Sequence, residues 1–190
     1  MTGRDVHHQL LIAGFGGQGV VLAGKLLATA ALAEGREVVW APSYGPEMRG
    51  GPVHCTIIVS GHRIGSPEVS LADSLLIMDA ASLERFKTRI TPQGLLLLNT
   101  SLAQPPADMD SVEVVGILAN EVAEALGEPR VANVIMLGAF LAARPVVSLD
   151  SIVDAMRVTA GKAWEHLVAV NRAALENGAE LARAELKAGR

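Results

Sequence analysis

Near the N-terminus an apolar run, Leu10-Leu11-Ile12-Ala13, enters the glycine cluster Gly14-Phe15-Gly16-Gly17-Gln18-Gly19, and a helix-forming stretch follows from about Gln18 to Glu34. A short apolar run bounded by glycines predicts a buried strand over Gln9–Ala13. A strand that turns at once into a helix commits the chain to layered α/β architecture, with the strand in a sheet and the helix laid across it. The same order makes an anion site available. Glycines let backbone N–H groups approach a ligand, and the helix start carries partial positive charge.

The chain has 190 residues, of which 50% are hydrophobic and only 3% aromatic. That aliphatic supply suits one well-buried sheet with helical cover. We therefore expect a single domain over 1–190, with C-terminal helices from about residue 148 packed on it. A net charge of −4 gives no bulk attraction to nucleic acid or to an anionic membrane. Residues 1–9 are polar, without a signal-peptide core, and no stretch reads as a transmembrane span, so a cytoplasmic location is expected. Cys55 is the single cysteine, which excludes an internal disulfide and any iron–sulfur cluster held by this chain alone.

The first helix should be largely buried and end at Gly35. Glu37–Ala41 reads as a second strand. Pro42–Pro52, with three prolines and three glycines, reads as a stiff loop. Val53–Ser60 is a β-branched strand, and Gly61-His62-Arg63 resembles a turn into a short strand or loop near Ile64, a part of the chain that suggests a hairpin added to the sheet. Further strands are expected over Leu75–Met78, Gly94–Asn99 and Val112–Ile117, and helices over Ser82–Arg89 and Ala119–Leu126, the latter stopped by Gly127. Val131–Ala143 is helical and apolar nearly all round, which predicts burial in the core or in a subunit interface. From Ser148, capped by Ser148 or Asp150, the chain reads as helical to its end, with a bend at Gly161.

Gly14, Gly16 and Gly19 match G-x-G-x-x-G in the right strand-to-helix setting. The plain structural alternative is a tight turn without a ligand. A dinucleotide site also wants an acidic residue after the second strand for the ribose. Val39-Trp40-Ala41 stands there instead, and Glu37 lies at the wrong end of the strand. Gly19 to Lys25 mimics a P-loop, but Leu26 replaces the magnesium-binding Ser or Thr, so Gly24 is better read as a packing residue.

The loop Tyr44-Gly45-Pro46-Glu47-Met48-Arg49-Gly50-Gly51 should leave the second strand at the sheet edge that carries the glycine turn, where ligands of open α/β sheets gather. Arg49 offers a planar fork to phosphate or carboxylate, and Tyr44 a flat face and a hydroxyl. The alternative is a rigid loop whose arginine pairs with a carboxylate. Cys55, inside Val53-His54-Cys55-Thr56-Ile57, reads as a buried thiol rather than a nucleophile. The histidines show no ligand spacing, with His7 and His8 in a polar arm, so no metal site is expected. No serine-hydrolase elbow, Glu-x-x-His motif or carboxylate pair is present, and no catalytic residue is assigned.

With both loops in view, the chain resembles the gamma subunit of 2-oxoacid:ferredoxin oxidoreductases. The likeness rests on Gly14 to Val20 and Tyr44 to Gly51. It continues through Ser66-Pro67-Glu68-Val69, Ala72-Asp73, Asn133 to Gly138 and Asn171 to Ala174, nearly the whole chain. The resemblance implies a Rossmann-like, mostly parallel sheet with an added hairpin, flanked by helices. It also implies oxidative decarboxylation of a 2-oxoacid to an acyl-CoA, with electrons passed to ferredoxin. Coenzyme A is the ligand implied for this subunit. Thiamine diphosphate, magnesium and iron–sulfur clusters are placed in partners: alpha and beta subunits, and a ferredoxin-like delta subunit or ferredoxin.

Carried onto this chain, the resemblance makes Gly14, Gly16, Gly17, Gln18 and Gly19 the phosphate turn, with Tyr44, Arg49 and Gly50 facing it. Glu47 would orient Arg49 or meet a partner. The wording of the second loop is most like the 2-oxoglutarate type, with pyruvate and branched-chain 2-oxoacid enzymes as alternatives. The isolated chain is expected to be inactive, with a homodimer as its alternative to partner assembly and an apolar interface around Val131–Ala143. A free-standing nucleotide- or CoA-binding module is the rival reading.

Overall fold

The computed structural model describes residues 6–45, 51–160 and 167–188. Six strands form one sheet in the order β2-β3-β1-β4-β5-β6. They are β1 (His7–Phe15), β2 (Glu37–Tyr44), β3 (Pro52–Ser60), β4 (Ala72–Ile77), β5 (Ile90–Asn99) and β6 (Glu113–Ile117). β1, β4, β5 and β6 run parallel as successive neighbours. β3 is antiparallel to both strands beside it, β1 and β2. The fold is the expected mixed α/β sheet with helices and a C-terminal helical segment.

Alternation along β1 divides the core. Leu10 and Ile12 face a layer of helices: α1 (Val20–Ala33), α4 (Ala132–Ala143) and α5 (Leu149–Ala160). Leu11 and Ala13 face α2 (Ala80–Phe86), which brings Leu83 and Phe86 to the other side. α3 (Ala119–Ala125) follows β6, and α6 (Val168–Ala188) lies over α4.

Local signals place many boundaries. Gly35 donates to Leu32 and Arg36 to Ala31, closing α1. Gly127 and Glu128 close α3 in the same way, through Glu124 and Ala123. The Asp79 carboxylate accepts the Ser82 N–H at 2.9 Å and starts α2. Ser148 Oγ accepts the Ser151 N–H at 3.0 Å, the cap expected for α5.

Several expectations need correction. The expected added hairpin is β2–β3, closed where Gly45 donates to the Pro52 carbonyl, and of the short strand or loop expected near Ile64 the structure has the loop. Pro42, Ser43 and Tyr44 belong to β2 rather than to a loop. β2 is the sheet edge, where a proline costs no ladder bond on its open side. α1 begins at Val20, not Gln18.

His7 and His8 are the first residues of β1 rather than an arm. The His8 ring lies 5.6 Å from that of Phe140 and is 3.0 Å from Ser74 Oγ. The apolar helix α4 is core, not an exposed interface, because α6 covers the side that the sheet does not: Ile135, Met136, Leu137, Ala139 and Phe140 are wholly buried. α5 and α6 are separate helices, and the bend expected at Gly161 lies outside the described residues.

Candidate functional site

β1 ends at Phe15, and four intervening residues lead to the start of α1 at Val20. Gly17 and Gly19 hold the turn in left-handed conformations, φ 109° and 74°, that a side chain rarely adopts. The Gln18 side chain fastens it from inside, with Oε1 accepting the Phe15 N–H at 2.7 Å, while the Gln18 N–H donates to the Phe15 carbonyl at 3.1 Å. The Gly16 N–H donates to the Gly51 carbonyl at 3.0 Å, tying the turn to the start of β3. Gly14 is a packing position: a Cβ there would lie 2.9 Å from both Met78 Cβ and Val20 Cγ2.

The expected set of phosphate-binding amides is therefore redistributed. Gly16 and Gln18 spend their N–H groups within the protein. Those of Gly17, Gly19, Val20 and Val21 reach no acceptor among the described residues. Gly19 is the N-cap of α1 and has no side chain to cap it, and no acidic residue occupies the first turn. The positive end of a helix is left for something else to satisfy.

Two cavities meet at this point. One, of about 300 Å³, is lined by Phe15, Gly16, Gly17, Val20, Tyr44 and Val53. The sheet register explains the grouping, since β3 sets Pro52 opposite Phe15 and Val53 opposite both Gly14 and Tyr44. Tyr44 is thus beside the glycine turn, as expected, and remains 63% exposed. Arg49, Gly50 and Glu47 lie outside the described residues.

The second cavity, of about 370 Å³, shares Gly17, Gly19 and Leu22 with the first and runs between α1 and the start of α4. Its polar lining is Glu128, Arg130, Asn133 and Asn171, none of which was assigned to the site from the motifs. Arg130 belongs to a short 3-10 turn ahead of α4 and is paired with Glu128 through Nε and Nη2, at 2.7 and 2.8 Å. Asn133 is 3% exposed and donates from Nδ2 to the Gly19 carbonyl at 3.1 Å. Asn171 donates to the carbonyl of Leu167, the residue just ahead of α6.

An available signal for Asn133 was its chemistry, a carboxamide inside the apolar run Val131-Ala132-Asn133-Val134-Ile135. A polar residue buried in such a helix needs a partner.

The site is fitted to hold an anion rather than to attack a substrate. The Cys55 thiol is wholly buried, and that burial, opposed only by the Trp40 indole, pushes it up to about 12. His54 is lowered by burial and by the nearby Arg85 and Arg89. Among the described residues no group of three His, Cys, Asp or Glu side chains is placed to hold a metal ion. No described helix is long and apolar enough to cross a membrane.

Comparison with known proteins agrees with this architecture. The family model for pyruvate ferredoxin/flavodoxin oxidoreductase matches residues 9–181. Ketoisovalerate oxidoreductase subunit VorA of Methanothermobacter marburgensis is 40% identical over 179 residues, covering 93% of this chain and 37% of that protein. The chain thus spans little more than a third of that relative's length. 2-Oxoglutarate synthase subunit KorC of Methanocaldococcus jannaschii is 31% identical over 180 residues, covering 92% of this chain and 94% of the relative.

The crystal structure of a keto/oxoacid ferredoxin oxidoreductase gamma subunit from Geobacter sulfurreducens superposes with a TM-score of 0.78 at 30% identity, covering 93% of this chain and 99% of that one. The 2-oxoglutarate:ferredoxin oxidoreductase from Magnetococcus marinus, solved with 2-oxoglutarate, coenzyme A and succinyl-CoA bound, shares the fold at a TM-score of 0.86 and 22% identity, over 94% of this chain and 31% of that one. With its family model matched along nearly the full length, the chain belongs to the pyruvate ferredoxin/flavodoxin oxidoreductase family.

Proposed function

We propose that this chain is the gamma subunit of a 2-oxoacid:ferredoxin oxidoreductase and that it binds the phosphates of coenzyme A at the start of α1. The observation that carries the reading is the uncapped helix start, whose Gly17, Gly19, Val20 and Val21 N–H groups lack acceptors where two cavities join. Backbone donors at a helix N-terminus suit phosphate, and phosphate is the part of CoA that such a turn recognises best. Tyr44 stands on one wall, and the reading assigns Arg49 and Gly50, which follow it in the sequence, to the same ligand. Gly14 and Gln18 shape the turn, and Gly16 fixes it to β3. CoA is further supported by its presence in a solved relative of the same fold.

Thiamine diphosphate, magnesium and iron–sulfur clusters, which supply the decarboxylation and electron transfer, belong on this reading to alpha, beta and delta-type partners or to ferredoxin itself. A chain with one cysteine, buried beneath α1, does not fit a cluster.

The 2-oxoacid is chosen elsewhere in the complex. The second loop's wording favours 2-oxoglutarate. A branched-chain 2-oxoacid is the second reading, favoured by the 40% identity to the ketoisovalerate subunit against 31% to the 2-oxoglutarate one. Turnover of the purified complex on 2-oxoglutarate, 2-oxoisovalerate and pyruvate decides between them.

Titrating CoA into the complex by calorimetry tests the site. Arg49→Ala should weaken CoA about tenfold, the loss of a charge-assisted bond worth roughly 1.5 kcal/mol. No CoA affinity in either subunit or complex would overturn the assignment. A stable, active monomer that purifies without partners would overturn the subunit reading.

A further inference from the structure

Asn133 sits on the second residue of α4, in a helix otherwise built from aliphatic residues, alanine, glycine and phenylalanine. Alanine there would favour the helix more and would bury no polar group. The carboxamide instead reaches 114 residues back along the chain to the Gly19 carbonyl. That carbonyl also accepts the first helical bond of α1, from the Ala23 N–H at 2.9 Å. The fit is mutual: a Cβ on Gly19 would lie 2.7 Å from Asn133 Cγ.

The Gly19 carbonyl and the Val20 N–H belong to one planar peptide unit and point in opposite directions. Whatever holds the carbonyl therefore aims that N–H out of the helix start. Asn133 Oδ1 has no hydrogen-bond partner among the described residues, and the side chain lines the cavity that meets the turn.

We propose that Asn133 is the positioning residue of this turn, holding the Gly19–Val20 peptide so that its N–H meets a phosphate group of the ligand. The proposal rests on the reading of the turn as a CoA phosphate site. Asn133 donates to backbone and carries no charge, so its contribution is orientation rather than attraction. Asn171, bonded locally to the Leu167 carbonyl, makes no such link.

The test uses the purified complex with its partner subunits and two ligands, CoA and pantetheine, which carries the same thiol arm without phosphates. Wild type should bind CoA more tightly than pantetheine. Asn133→Ala should lower CoA affinity about tenfold and leave pantetheine unchanged, so that the preference shrinks. Asn133→Asp, nearly the same shape but unable to donate and negatively charged, should lower CoA affinity on the order of a hundredfold. In turnover, KM for CoA should rise while kcat at saturating CoA and KM for the 2-oxoacid hold.

Variants that keep the wild-type CoA-to-pantetheine ratio would overturn the positioning role, as would equal loss of both ligands together with a lower melting temperature. Wild type that fails to distinguish the two ligands would instead remove the phosphate reading, and this proposal with it.

Discussion

Glycines along the first strand and helix are required for different reasons, and only some concern a ligand. Gly17 meets nothing within 4 Å of a hypothetical Cβ and is needed for its backbone angle. Gly19 needs both the angle and the space beneath Asn133. Gly24, inside α1, is needed for space alone, since a Cβ there would lie 2.6 Å from Cys55 Sγ and 3.1 Å from Trp40 Nε1. The P-loop likeness of the sequence thus reduces to a close approach between α1 and β3. We expect Gly24→Ala to cost about 2 kcal/mol, typical of overpacking a rigid core. Cys55→Ala in the same chain should restore part of it by vacating the space. Urea denaturation of the two single variants and the double variant reads the coupling. Additive losses would mean that Gly24 and Cys55 do not compete for that space.

At the scale of elements, the pairing of α4 with α6 matters most, because it turns an apolar helix into core. Gly138 and Gly178 allow the backbones to touch: a Cβ on Gly138 would lie less than 3.0 Å from the Leu175 carbonyl, and one on Gly178 less than 3.0 Å from that of Ile135. A carbonyl in a helix cannot turn aside as a side-chain tip can, so the helices must separate. Gly138→Ala and Gly178→Ala should each destabilise the fold by about 3 kcal/mol, visible as a lower urea midpoint. A midpoint within error of wild type would show that the helices part freely. Much at this scale was legible in the sequence. β1, β4 and β5 announce themselves as apolar runs, Gly35 and Gly127 as helix stops, and the apolar circumference of Val131–Ala143 as a helix with two covered sides. What covers the second side was not legible, since α6 arrives from more than thirty residues downstream through contacts that no local pattern encodes. The site divides in the same way. The turn and Tyr44 could be read from residue types and their sequence order. Asn133, and the engagement of the Gly16 N–H by Gly51, depend on chain brought in from elsewhere.

For the whole molecule, the decisive feature is β3 standing between β1 and β2. It moves the end of β2 one further strand from the glycine turn, about 4.8 Å, and sets Gly51, just before β3, against the turn instead. An acidic residue after β2 would therefore be poorly placed for a ribose, so topology disfavours a dinucleotide. A pH dependence sits away from the turn, at the start of β1 and the end of α1. His8 is held down to about 4, chiefly because burial disfavours its charged form. Arg144 and His7 push the same way, and Asp73 opposes them. Partial burial pushes the Glu34 carboxyl up, but the Ser148 N–H and the Ser151 and Ser148 hydroxyls, with Arg36, outweigh it and hold the group below its ordinary value. Between pH 6.5 and 4 the unfolded chain takes up a proton at His8 that the folded chain resists, so stability is full above 6.5 and falls as the pH drops through that window. The difference amounts to no more than roughly 3 kcal/mol. Glu34 adds a loss that begins below its ordinary value of 4.5, as protonation breaks its serine contacts. Urea midpoints at pH 7, 5.5 and 4.5 should therefore decline in order. His8→Gln, which can still reach Ser74 and cannot titrate, should flatten the decline above pH 4.5. A wild type equally stable from pH 7 to 4.5, or a variant with an unchanged slope, would show that His8 does not govern acid unfolding.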